Sequence, residues 1–222
     1  MDDLTWASQH KKRIAREFIR ETDFQPSDTP TGVFTAGLPG AGKTEFTIEL
    51  LKDIANKPLR IDMDEIAKLI EGYKPEIADK FRAGASSILA RIYDEVIKNK
   101  LDFVFDGTFA HGRALENVDR ALRHGYTIKL YYIHQEPAIA WKFTQDRELV
   151  EHRAIDKTGF IDSYTRLHRN LESLQNSHKD VTISVIIKDE NNKVGDRKEN
   201  VDNLFEVLPP FLSQTELESV IL

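Results

Sequence analysis

Residues 37–44 read Gly37-Leu38-Pro39-Gly40-Ala41-Gly42-Lys43-Thr44, and this octet constrains the chain more than any other stretch. It satisfies G-x-x-x-x-G-K-[ST] at every fixed position. It also lies between a strand-like run, residues 32–36, and a helix-like run that starts at Lys43. That context is what the pattern needs to mean a phosphate cradle. Glycines let successive backbone N–H groups turn inward around an anion without Cβ clashes. The following helix adds its unpaired N–H groups and the positive end of its dipole. Lys43 then reaches the β- and γ-phosphates of a nucleoside triphosphate, and the Thr44 hydroxyl ligates Mg²⁺. ATP and Mg²⁺ are the cofactors expected.

A cradle of this kind demands a sheet edge to carry it. Apolar, β-rich stretches recur at residues 32–36, 59–61, 101–105, 127–133 and 181–187. Helical patterns separate them at 43–56, 63–71, 75–100 and 113–124, with two more within 136–176. The alternation predicts an α/β fold: three layers, α/β/α, around a mainly parallel five-stranded sheet. Right-handed crossovers bring the strand C-termini to one edge, so residues just past each strand are the candidates for chemistry. The 222 residues suffice for one domain. An amphipathic helix and Pro-containing linker occupy 1–30, the core 31–193, and a helical tail 194–222.

"RIDMDEI" places Asp62 and Asp64 past the second strand. A carboxylate there can take or orient the proton of an acceptor hydroxyl during in-line attack on the γ-phosphoryl group. Asp64 is the expected base; Asp62 serves the substrate or caps the helix "EIAKLIEGY". "LDFVFDGT" ends on Asp106, expected to help hold Mg²⁺. Thr108 and the nearby Arg113 face the acceptor, with His111 a weaker candidate. In "DRELVEHRAIDKTG", Arg147 and Arg153 could close over the transferring phosphoryl group or pair with Asp146, Glu148 and Glu151 on a solvated face. Arg166 and Arg169 rank below them.

Composition narrows the partners. A formal net charge of −6 argues against a nucleic-acid backbone while leaving room for a small anionic substrate in a local basic cluster. Cysteine is absent, which removes disulfides and thiolate metal sites. The charged N-terminus lacks a signal-peptide core and no run is long enough to span a bilayer, so a cytoplasmic protein is expected.

In order, "GLPGAGKT", "IDMDEI", "FVFDGT", "HGYTIKLYYI" and "DRELVEHRAIDKTGF" resemble the zeta toxin family of P-loop kinases over residues 31–193. The resemblance implies ATP-dependent phosphorylation of a hydroxyl on UDP-N-acetylglucosamine. It makes Asp64 the catalytic base, Lys43 and Thr44 the phosphate-loop pair, and Arg147 and Arg153 the lid arginines. It puts the adenine side near residues 188–193 and implies an antitoxin partner covering the ATP site. The chain departs from the family pattern in having Asp106 where a glutamate is usual and Ala110 where an arginine falls. Three readings follow: a small-molecule kinase, toxic or not; a polynucleotide kinase on the same core; or a nucleotide switch without transfer.

Overall fold

The computed structural model of the protein describes residues 2–20, 24–52, 54, 57–151 and 155–221, and of 149–151 the backbone alone. Five strands run parallel: β1 (Thr31–Ala36), β2 (Leu59–Asp62), β3 (Phe103–Asp106), β4 (Thr127–His134) and β5 (Thr182–Lys188). A sixth, β6 (Val194–Lys198), pairs antiparallel with β5, giving the order β2-β3-β1-β4-β5-β6. The sheet therefore has six strands, not the five expected, and the extra one falls in residues assigned to a helical tail. Every residue of β6 is exposed, so no apolar alternation announces it; backbone pairing to β5 holds it.

The helices are α1 (Asp3–Arg20), α2 (Lys43–Lys52), α3 (Met63–Ala67), α4 (Arg82–Lys98), α5 (Ala114–Arg123), α6 (Pro137–Glu151), α7 (Lys157–Ser177), α8 (Leu204–Val207) and α9 (Gln214–Val220). The helical pattern at 75–100 divides into a 3-10 turn, Pro75–Phe81, and α4. Ile77 leaves helical geometry at φ −128°, ψ 25°, and breaks the run. No helix among the described residues is long and apolar enough to cross a membrane.

The core is set by the central strands. Phe103 of β3 is fully buried, with Phe34 of β1 and Tyr93 of α4 meeting it edge-on at 5.5 and 5.4 Å between ring centroids. Such aromatic pairs add about 0.5–1.5 kcal/mol each beyond area burial. α1 buries Ala7, Ile14 and Ala15 against α4. Gly84 permits the close approach, because a Cβ there would stand 2.8 Å from the Asp3 carbonyl. This framework leaves the C-terminal ends of β1, β2 and β3 adjacent, with Asp62 directly opposite Asp106 in the β2–β3 register.

Candidate active site

β1 delivers the chain into the 37–44 loop, and two glycines fix its path. Gly40 has φ +79° and a Cβ there would fall 2.1 Å from the Ala140 carbonyl oxygen. Gly42 has φ +78° and lies against the Asn192 carboxamide. Both conformations belong to glycine. The loop is tied down by Gly37 N donating to the Thr108 carbonyl (3.2 Å) and Ala41 N to the Leu38 carbonyl (3.1 Å). A cradle that a Cβ would fill, opening onto the N-terminus of α2, is suited to a polyphosphate.

Lys43 folds back so that Nζ donates to the Leu38 carbonyl at 2.7 Å. Burial pushes its ammonium down to about 8; Asp106, Glu45 and Asp64 pull it up and Arg147 pushes it further down. These opposing influences locate Asp64, Asp106 and Arg147 in the electrostatic field of one lysine. Thr44 is half-buried at the start of α2.

Asp62 caps α3, its Oδ1 accepting from Asp64 N at 2.8 Å, as the capping reading anticipated. Its carboxyl is raised by burial first, with Asp64 and Asp106 adding to the rise while Arg60 opposes it. Arg60 is the residue sequence reasoning missed. Its Nε donates to Asp106 Oδ2 at 3.0 Å and its Nη2 reaches Asp62 Oδ2 at 2.5 Å and Asp106 Oδ2 at 2.7 Å. One guanidinium thus bridges the two facing carboxylates. A signal was present: an arginine inside a short buried strand, two residues before an aspartate, shares its face and needs a buried partner.

Asp106 Oδ1 accepts from the buried Thr35 hydroxyl at 3.2 Å, and Thr35 in turn accepts from Gly107 N at 2.9 Å. Both oxygens of Asp106 are therefore held by the protein: Oδ2 takes both Nε and Nη2 of Arg60, and only Oδ1 keeps a lone pair to spare. That donor set suits a bound water around a metal better than direct ligation, and among the described residues no three acidic or imidazole groups are arranged so that they could hold a metal ion between them. The half-buried Thr44 hydroxyl remains the direct ligand that fits Mg²⁺, which takes most of its shell from phosphates and water.

The structure gathers Lys43, Asp62, Asp64, Asp106 and Arg147 but not all the expected residues. Thr108 lies beside the cradle, its hydroxyl accepting from Ala110 N at 3.2 Å. Arg113 is exposed at the start of α5 and forks onto Glu116 at 2.9 and 3.0 Å. It lies beside Lys11, Lys12 and Arg91 of α1 and α4. His111 is exposed, its imidazole pushed down by burial and by Arg113 and Arg166; the exposed Arg166 pairs with Asp162. Arg153 lies outside the described residues. The 188–193 segment forms the β5–β6 hairpin over the loop. Lys188 Nζ donates to the Asn192 carbonyl at 3.1 Å, and Asn192 Oδ1 is buried against Gly42 without a partner.

A parallel sheet with a glycine-lined phosphate loop after its central strand, a loop lysine and carboxylates on the neighbouring strands defines an ATP-dependent P-loop kinase. The family profile described as "Zeta toxin" matches residues 15–201, and the chain belongs to that family. Among solved structures, one from the PezAT chromosomal toxin–antitoxin system of Streptococcus pneumoniae is similar in fold, with a TM-score of 0.68 and 17% identity. That likeness covers 96% of this chain and 91% of the other. The AvrRxo1-ORF1:ORF2 complex is similar at TM-score 0.59 and 13% identity, over 99% and 77% of the two chains. The form of that complex with ATP gives 0.54 and 15%, over 88% and 63%. No curated protein sequence matches the chain.

Proposed function

We propose that the protein transfers the γ-phosphoryl group of ATP to a hydroxyl of a nucleotide sugar, UDP-N-acetylglucosamine being the acceptor its family resemblance names. We further propose that it acts as the toxin of a toxin–antitoxin pair. The observation that carries the reading is the glycine-lined loop that ends on Lys43 beside the adjoining ends of β2 and β3, where Asp62 faces Asp106 and holds the Asp64 backbone. Solved neighbours whose descriptions name toxin–antitoxin and ATP complexes agree with it.

In this reading the loop N–H groups and the start of α2 grip the phosphate tail. Lys43 leaves the Leu38 carbonyl for the β- and γ-phosphate oxygens, where its charge counts most in the transition state. Asp64 accepts a hydrogen bond from the acceptor hydroxyl and takes its proton as the hydroxyl oxygen bonds to the γ-phosphorus and the bond from that phosphorus to the β,γ-bridging oxygen breaks, with ADP as the leaving group. Asp62 fixes the backbone beneath Asp64, and Arg60 bridges Asp62 and Asp106 and offsets their mutual repulsion. The Thr44 hydroxyl would hold Mg²⁺, with Asp106 as an outer partner, and the ion would supply charge neutralisation at the phosphates. Arg147 and Arg153 close over the equatorial oxygens and exclude water, which limits wasteful hydrolysis. Thr108 takes the acceptor side, and the Asn192 amide faces the nucleotide.

The test is incubation of the protein with γ-labelled ATP, Mg²⁺ and a panel of nucleotide sugars, mononucleotides and 5′-hydroxyl oligonucleotides. Label on a nucleotide sugar is the result expected. Label confined to the oligonucleotides would replace the acceptor class, and hydrolysis without any transfer would refute the kinase assignment. Growth arrest on expression, relieved by Lys43→Ala, is expected of a toxin; unimpaired growth with active enzyme would refute toxicity.

A further inference from the structure

On the flank formed by α1, α4 and the start of α5 lies an open groove of about 460 Å³. Lys11, Lys12, Arg91 and Arg113 line it against a single carboxylate, Asp94, which is turned to Arg120. The chain as a whole carries a net charge of −6, so four cations around one concavity is a local reversal of sign. Two of them are compensated: Arg91 pairs with Glu95, and Arg113 with Glu116. The lysines are not. Lys11 Nζ reaches only the Ser87 hydroxyl, at 3.4 Å, and Lys12 has no ion pair among the described residues. Arg91 Nε is shielded from solvent and lacks an acceptor. Ala83 and Ala90 leave space between the cations, while Ser86 and Ser87 offer hydroxyls. Unneutralised ammonium groups and hydroxyls around a cleft are the donor set of a phosphate.

We propose that this groove binds the phosphate or diphosphate group of the acceptor, with Lys11 and Lys12 of the N-terminal helix as its principal cations. The groove adjoins the chemistry through two elements. α4 packs on α3, which carries Asp64. Arg113 ends the loop that leaves Asp106, and Asn170 anchors that loop by donating to the Phe109 carbonyl at 2.8 Å. An acceptor with an anionic group and a distal hydroxyl can therefore be held at one end and presented at the other. The N-terminal helix thereby becomes part of substrate selection as well as packing. The proposal rests on the kinase reading only for calling the ligand an acceptor; anion binding stands independently.

The test is calorimetric titration of UDP, pyrophosphate and uridine into the full chain saturated with a non-hydrolysable ATP analogue, so that the loop is already filled. Wild type is expected to bind UDP, and Lys11→Ala/Lys12→Ala to bind it at least about tenfold more weakly, from the loss of two charge-assisted contacts. Uridine should not distinguish the two proteins. Equal UDP affinity in both, or no binding of either UDP or pyrophosphate by wild type, overturns the proposal. In parallel, the acceptor KM is measured with any substrate found in the panel. UDP binding through these lysines without phosphoryl transfer would keep the groove and sink the kinase. Transfer with an unchanged acceptor KM in the double variant would do the reverse.

Discussion

Replacing Arg60 by methionine removes the cation that bridges Asp62 and Asp106 while keeping much of the side-chain volume. The side chains of those carboxylates are 13% and 4% exposed, and that of Arg60 is 25% exposed. Breaking a buried pair by deleting one partner costs about 3–5 kcal/mol, because the remaining charge is stranded. The partial exposure of Arg60 lowers the expectation here to about 2–4 kcal/mol. For a chain of this length that corresponds to a melting temperature lower by roughly 5–15 °C. The loss should depend on pH with a definite sign. Burial already raises the Asp62 carboxyl above its unfolded value while Arg60 opposes the rise; removing the cation raises it further, so the folded variant holds an extra proton to higher pH than wild type does. Stability relative to wild type is then recovered as pH falls and is poorest at high pH. Urea unfolding at pH 8 and pH 5 measures both effects. Arg60→Lys should recover part of the loss through its charge but not the fork that spans two carboxylates. A variant within about 0.5 kcal/mol of wild type at pH 8, the ordinary scatter of surface substitutions, would refute the bridge. So would a deficit that does not change with pH.

Two further outcomes follow from titrating groups. Burial holds Lys43 at about 8 in the free protein and bound phosphates favour its charged form, so ATP affinity should be flat below pH 7. It should then fall by up to about tenfold per unit above pH 8, as a proton must be taken up on binding. Titration in two buffers of different ionisation enthalpy measures that uptake, and no uptake at pH 9 would refute it. His168, packed among Tyr132, Tyr164 and Phe211 and facing His134, is pushed down to about 3 by burial. The unfolded chain binds a proton there near pH 6.5 and the fold does not, so stability is full above that pH and is lost below it. Between pH 6.5 and 4.5 the loss should be about 2–3 kcal/mol, and His168→Gln should lack that component; an identical pH slope in the variant would refute it.

The phosphate loop was legible because its spacing is imposed by backbone geometry, which sequence records directly. The parallel strands were legible because burial on both faces makes them apolar. β6 was not, since its five residues are exposed and its pairing partner lies across a hairpin. The split at Ile77 escaped because the apolar spacing continues across a break in backbone angle. Asp62 and Asp64 stand out in the sequence by their place after a strand, and the structure puts Asp62 at the end of β2 as the cap of α3. Arg60 was overlooked because its meaning depends on register: only the alignment of Asp62 opposite Asp106 shows that one guanidinium can reach both. Arg113 follows a turn with Phe109 at φ +60° and forks onto Glu116, a pairing that residue spacing alone does not show.

Single-turnover transfer from γ-labelled ATP, comparing wild type with Asp64→Asn at equal ATP occupancy, bears most directly on how the chemistry is done. The substitution keeps shape and hydrogen-bonding reach but cannot accept the acceptor's proton. Transfer should slow by about 100-fold or more, the contribution of a positioned base, with ATP bound about as well as before. Transfer by Asp64→Asn at the wild-type rate would contradict the account.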